Sequence, residues 1–452
     1  MMNMHAASHT SPKSLLKMSA HQLRAGEISD YDPLLELISD ARFVLLGEAS
    51  HGTHEFYRER AQITKRLITE KGFTAVAVEA DFPDANRVNR YVRGMSDDID
   101  AIDALSGFKR FPAWMWRNAD VLDFVGWLRA HNDGLTNAEA KAGFYGLDLY
   151  SMNSSIAAVL SYLDKVDPAA AKRARARYSC FDGFGGDTQK YGYETAMGQG
   201  YSCEDAVVSQ FVEIYSRASE LAHLDGRVAA DDFFVAEQNA RLVKNAEQYY
   251  RTMYRSDVSS WNLRDSHMVE TLVELDRHLT FQGKPPKIVL WEHNSHLGDA
   301  RATVMGHKGE WNVGQLVRQH FADEALLVGF TTYHGTVTAS SDWGGQAERK
   351  CVRPALQGSF EALFHEAGLK RALLLLKHDS ELKKALRDPL LERAIGVIYR
   401  PETERLSHYF HARLSDQFDA VIHIDETRAV EPLERTSFWD KGEVPETFPS
   451  GV

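Results

Sequence analysis

The sequence predicts an α/β fold: a mostly parallel central sheet flanked by helices, with a large helical insertion over the cleft. Three observations predict it. First, four short apolar runs, residues 43–46, 74–78, 143–147 and 287–291, have the length and composition of buried strands. Second, the first two runs are joined by a long stretch of helical spacing, and such a crossover favours right-handed parallel pairing. Third, strand and helix stop alternating after Asp148 and resume only near Lys287; the charged, helically spaced sequence at 152–176 and 204–278 reads as an inserted helical region.

In chain order, residues 1–29 read as a disordered or loosely packed leader with no long apolar core, so no secretory signal is expected. A short helix begins at Asp32, with Pro33 at a permitted first-turn position. Strand 43–46 runs into a tight turn bracketed by Gly47 and Gly52. Thr53 caps the next helix, and Gly72 stops it after Lys71. Strand 74–78 ends at Glu79, and a helix from Asp81 ends near Gly94. The stretch 108–118 is dense in aromatics, including Phe111, Trp114 and Trp116, and leads into a helix from Val121. Strand 143–147 ends at Asp148.

Within the insertion, residues 182–200 are rich in glycine and aromatics and lack the spacing of a phosphate loop, so they read as a lid or surface loop. After strand 287–291 come a helix over 312–321, a strand over 326–333 and a hairpin through Gly335. Further strands are predicted at 372–376, 395–399 and 419–424. The organisation is a leader (1–29), a first part of the core (30–150), the insertion (151–284), and a second part of the core with a C-terminal tail (285–452).

The bulk numbers exclude several classes. Among 452 residues, 52 Lys and Arg stand against 64 Asp and Glu, a net charge of −12 that argues against tracking a phosphate backbone. No apolar run reaches the roughly 20 residues needed to span a bilayer. Cys180, Cys203 and Cys351 are scattered, without CxxC, so neither a disulfide framework nor a thiolate zinc site is expected, and a reducing cytoplasm is the simplest home. Oligomeric state is not legible.

The chemistry is carried by the strand ends. If the four strands are parallel neighbours, Glu48, His51, Glu79, Asp148, His293 and His296 share the carboxyl rim of the sheet, where open α/β folds place their sites. Two mechanisms use these residues. In the metal-free one, His51 removes a proton from water, oriented by Glu48 or Glu79, while His293 or His296, with Arg60, stabilises an oxyanion. In the other, a divalent ion sits at His51, Glu79, His293 and His296 with a water position open. Ser50 as a nucleophile is disfavoured because GxSxG spacing is absent and adjacent turn residues point apart.

Taken together, Gly47-Glu48-Ala49-Ser50-His51-Gly52, Val78-Glu79-Ala80-Asp81 and Glu292-His293-Asn294-Ser295-His296 resemble the signature of the erythromycin esterase family, over about residues 30–430. The resemblance implies an α/β core with a helical region over a deep cleft. It also implies opening of a macrolide lactone by activated water, without a covalent intermediate, and leaves metal dependence open: no cofactor is expected, with a divalent metal possible at His51, Glu79, His293 and His296. On the family pattern Glu48, His51, Arg60, Glu79, His293 and His296 are catalytic, and Arg264 is a further site arginine. Phe111, Trp114, Trp116 and Trp343 are expected to wall the substrate. The expected partner is a small macrolide or other ester, not nucleic acid or membrane. A metal-dependent hydrolase of another ester, amide or peptide, and a non-catalytic biosynthetic binder, remain the alternatives.

Overall fold

The computed structural model describes residues 11–217, 227–281 and 283–442. Its centre is an eight-stranded sheet built from β1 (His21–Gln22), β2 (Phe43–Leu46), β3 (Ala75–Asp81), β4 (Gly143–Asp148), β5 (Ile288–Trp291), β6 (Ala325–Thr331), β9 (Arg371–Leu375) and β12 (Ala420–Ile424). The spatial order is β1-β9-β12-β6-β2-β5-β3-β4. From β12 to β4 every neighbouring pair is parallel, whereas β9 runs antiparallel to both β12 and β1. The predicted mostly parallel sheet is therefore present, and β2, β5, β3 and β4 are consecutive neighbours with their carboxyl ends on one rim.

Strand residues alternate between two cores, as a pleat requires. Phe43, Leu45, Ala77, Leu147 and Leu290 face a core that the helices inserted between β4 and β5 complete with Val159, Leu163, Val243 and Leu272. Val44, Leu46, Val76, Val78 and Trp291 face the opposite core, closed by Phe56, Ile63 and Leu67 of helix His54–Lys71 and by Phe124 and Leu128 of helix Ala119–Asp133. Because both faces are covered, β2, β3, β4 and β5 are buried along their whole length, and this explains their unbroken apolar character.

The insertion comprises helices Met152–Val166, Pro168–Tyr178, Thr188–Ala196, Glu204–Ser216, Arg227–Met253 and Asp257–Phe281. None of the described helices is long and apolar enough to cross a membrane. Two small sheets flank the rim: β7 (His334–Ala339) pairs antiparallel with β8 (Glu348–Val352) and parallel with β13 (Glu426–Thr427), and β10 (Leu390–Arg393) pairs with β11 (Tyr409–Ala412).

Several expectations need correction. The leader is ordered from residue 12: Pro12–Ser19 is a helix capped by Ser11, and β1 adds to the sheet edge, because Leu16 and Leu23 find apolar cover; residues 1–10 lie outside the described residues. Residues 395–399 are not a strand. They make only single bridges, Ile395 to Ser50 and Ile398 to Ser340, because they bend across the turn after β2. The segment 182–200 is largely helical, with Thr188–Ala196 capped by Asp187 and Tyr191 fully buried. Cys180 and Cys203 are paired as a disulfide although 23 positions separate them, since the fold brings their Cα atoms to 5.9 Å.

Candidate active site

Two glycines position the turn after β2, by what they lack. A Cβ on Gly52 would lie 1.8 Å from the Thr338 carbonyl oxygen, and one on Gly47 would lie 2.1 Å from Asn294 Oδ1. The bare backbone thus lets the turn press against β7 and the β5 loop. Thr53 occupies the helix cap, but its hydroxyl pairs with Ser50 instead of capping. Ser50 is buried by that bond and does not line the cavity described below.

From this turn Glu48 and His51 enter the site. Glu48 Oε1 accepts from His51 Nδ1 at 2.9 Å, and Oε2 accepts from Arg60 Nη2 at 2.5 Å. Arg60 is fully buried behind Glu48, with its guanidinium over the Tyr57 and Trp291 rings. It does not line the cavity, which corrects its expected role as an oxyanion donor. Burial pulls the His51 pKa down, but the charges of Glu79 and hydrogen-bonded Glu48 prevail and hold it above 6.5.

The loop after β5 supplies the other imidazoles. His293 caps the short helix Asn294–Leu297, its Nδ1 accepting from the Ser295 amide at 3.2 Å. If neutral, the ring then carries its hydrogen on Nε2, which is buried without a hydrogen-bond partner among the described residues. Burial and the neighbouring His51 press its pKa well below 6.5, which favours the neutral ring. The His51 and His293 ring centroids are 4.8 Å apart. Asn294 holds this loop to β6, donating to the Phe330 carbonyl at 2.7 Å and accepting from its amide at 3.2 Å.

His296 is held on three sides. Its Nδ1 lies 3.0 Å from both Asp265 oxygens, its Nε2 accepts from Arg264 Nη1 at 2.9 Å, and its ring stacks on Trp261 with centroids 4.5 Å apart. Arg264 is the hub. Its Nε and Nη2 grip Asp148 at 3.0 and 2.8 Å, and Nη2 also donates to Glu79 Oε1 at 2.7 Å. Only one Nη1 hydrogen is left for the cavity. Glu79 Oε2 accepts from the His293 amide at 2.9 Å. Burial alone would raise the pKa of Glu79, but His296, His51 and Arg264 together hold it far below the usual carboxylate range.

Of the predicted residues, His51, Glu79, Arg264, His293 and His296 line one cavity of about 290 Å3, and Trp116 and Trp343 wall it. Glu48 stands directly behind His51. Phe111 lines an adjoining chamber and meets Trp343 edge to face at 5.2 Å. Trp114 is corrected: it is buried in the core under the rim and lines neither chamber. The proposed metal set has Arg264 planted among its members, and no group of three metal-ligating side chains with suitable geometry occurs among the described residues.

Four contributors were missed. Asp265 and Trp261 orient His296 from helix Asp257–Phe281, and Tyr150 lies between two guanidinium groups, with Arg110 at 4.8 Å and Arg264 at 4.9 Å from its ring. Glu292 is buried with neither carboxyl oxygen partnered among the described residues; burial next to Glu79 and Asp265 drives its pKa far up and favours the protonated form. Only the position of Glu292 beside His293 in sequence would have pointed to it.

The chain is similar to known proteins over most of its length. A family model described as erythromycin esterase matches residues 68–427. An erythromycin esterase type II of Escherichia coli is 20% identical over 423 residues, covering 89% of this chain and 93% of that protein. A solved succinoglycan biosynthesis protein superposes with a TM-score of 0.72 at 20% identity, over 93% of this chain and 97% of that one. A mutant of the erythromycin esterase EreC in its open conformation gives 0.64 at 18% identity, over 89% and 94% of the two chains. With the family model spanning most of the chain, the protein belongs to the erythromycin esterase family.

Proposed function

We propose that the protein hydrolyses the lactone of a macrolide, or a closely related ester, by direct attack of a water that His51 activates. The observation that carries this reading is the pair of adjacent imidazoles whose environments push them apart: His51 held basic by Glu48 and Glu79, His293 held neutral by burial and by His51. Groups split in this way are what acid–base chemistry near neutral pH requires.

Glu48 accepts the Nδ1 hydrogen of His51, which leaves Nε2 as the lone-pair nitrogen for the water. As the carbonyl becomes tetrahedral, negative charge develops on its oxygen. The unpartnered Nε2–H of His293 and the remaining Nη1–H of Arg264 are donors for that charge. The proton taken by His51 then passes to the leaving alkoxide, and the ring opens to a hydroxy acid with a net gain of one water. Glu79 supports the imidazolium and, through the His293 amide, fixes the loop that carries the donor.

The test is mass spectrometry of a macrolide panel incubated with the protein, before and after exhaustive chelation. The expected product is heavier by one water and forms at the same rate in both arms. No product from any macrolide overturns the substrate class, and product lost on chelation and restored by a divalent ion overturns the metal-free route.

A further inference from the structure

A second chamber of about 660 Å3 adjoins the first, and Asp81, Arg110, Tyr150 and Trp343 line both. Those four side chains form the boundary between the cavity at His51 and the second chamber. The far wall comes from the insertion: Ser151, Thr188, Tyr249 and Tyr250. Tyr249 and Tyr250 form an aromatic corner, with centroids 5.3 Å apart and planes at 82°.

Two polar side chains that line this chamber are unpartnered among the described residues. Asp84, in the first turn of helix Phe82–Val92, forms no hydrogen bond or ion pair among the described residues. The helix dipole accounts for an acid at that position but not for one held inside a chamber. Bare Gly107, where a Cβ would come within 3.0 Å of Asp84 Oδ1, keeps the carboxyl uncrowded. Ser151 stands at the N-cap of helix Met152–Val166, yet its hydroxyl does not cap, and its buried Oγ has no partner among the described residues. Both are groups that a ligand hydroxyl would satisfy.

Charge narrows the ligand. Arg110 is neutralised by a bidentate pair with Asp81, at 2.8 and 3.1 Å, and exposed Lys109 at the rim opposes Asp84. Burial and the nearby Asp81 bring Asp84 to a pKa of about 7, so the carboxyl can both donate and accept. Near-balanced charge, aromatic faces and free hydrogen-bonding groups suit an uncharged polyol, whose C–H face packs on rings while its hydroxyls are taken at the edge.

We propose that the second chamber is a glycosyl subsite: a sugar ring carried on the ester lies in the Tyr249–Tyr250 corner, with Asp84 and Ser151 binding its hydroxyls. The link between sugar and ester rests on the esterase reading; the sugar site itself does not. Two measurements keep them separate. One is the ratio of kcat/KM for a glycosylated 14-membered macrolide to that for the same ring stripped of its sugars. The other is saturation-transfer NMR with a set of methyl hexosides, which needs no turnover. Asp84→Ala should lower the ratio about tenfold, the effect of losing one or two well-formed hydrogen bonds, and Ser151→Ala should lower it by a smaller factor. Saturation transfer should be present in the wild type and lost in Asp84→Ala at unchanged melting temperature. An unchanged ratio with hexoside signals absent, or indifferent to both substitutions, overturns the subsite. If neither macrolide is hydrolysed, the esterase reading falls and the NMR arm alone decides; it also decides if the two disagree.

Discussion

Glu48 Oε1 lies 2.9 Å from His51 Nδ1 within a single turn, so the acid that holds the imidazole proposed as the base is its neighbour in sequence as well as in space. Replacing the carboxylate by an amide keeps the shape and removes the charge. Glu48→Gln is expected to reduce kcat by roughly 100-fold or more, within the range that positioned acid–base groups contribute. Steady-state kinetics checks it, with a melting curve to establish that the fold is kept; a loss below threefold would sink the assignment.

The pH profile follows from the same pair. The base acts when neutral, and its pKa is raised, so kcat/KM should climb with pH to a plateau through a midpoint above 6.5. Glu48→Gln removes one of the groups that raise it, and its midpoint should move toward lower pH. His51→Ala should have no plateau to measure. A wild-type midpoint at or below 6.5 contradicts the direction of the shift.

The proposed donor of His293 is its Nε2, an atom with no other partner among the described residues. His293→Ala should lower kcat by about 100- to 1,000-fold, the usual loss for one oxyanion donor, with a smaller change in KM. If the loss fell on KM alone, His293 would be a ground-state contact only.

Arg264 neutralises Glu79 and Asp148, two almost fully buried carboxylates at the cavity wall. Arg264→Ala leaves buried, unpaired carboxylates and should destabilise the fold by about 3–5 kcal/mol as well as abolish activity. Adding Asp148→Asn should recover part of the stability and none of the turnover. Chemical denaturation of the single and double variants reads the coupling, and strict additivity would show that the two residues do not act together.

At Gly52 the obstacle is backbone, which cannot swing aside. The residue also accepts from the Thr338 and Val430 amides at 3.0 and 2.8 Å. Gly52→Ala should destabilise the protein by about 3 kcal/mol or more, by analogy with overpacking in a closed core. A melting temperature equal to wild type would mean that the turn has room to shift.

The rim was legible because its strands are short, wholly buried and each followed at once by its polar residue: Glu48 after β2, Asp148 at the end of β4, Glu292 and His293 after β5. Periodicity and position sufficed there. It failed where contacts depend on how distant elements dock. Asp265 has the same sequence appearance as any helical acid, and only the packing of helix Asp257–Phe281 against the β5 loop sets it against His296. Arg60 was misjudged for the converse reason: helical spacing tells which face an arginine occupies but not whether a carboxylate stands between it and the pocket. Residues 395–399 read as a strand because their composition is apolar, although they serve as a bent strap over the turn.

Helix Asp257–Phe281, the last of the insertion, delivers Arg264 and Asp265 to a rim otherwise made by the sheet. The inserted region is thus no detachable cover. Excising it would remove two members of the charge network, whereas exchanging only its earlier helices, up to Met253, would redraw the outer wall and leave the reacting groups in register. Divergence in what such proteins cut should therefore concentrate upstream of that last helix, which marks where a grafting experiment ought to place its splice.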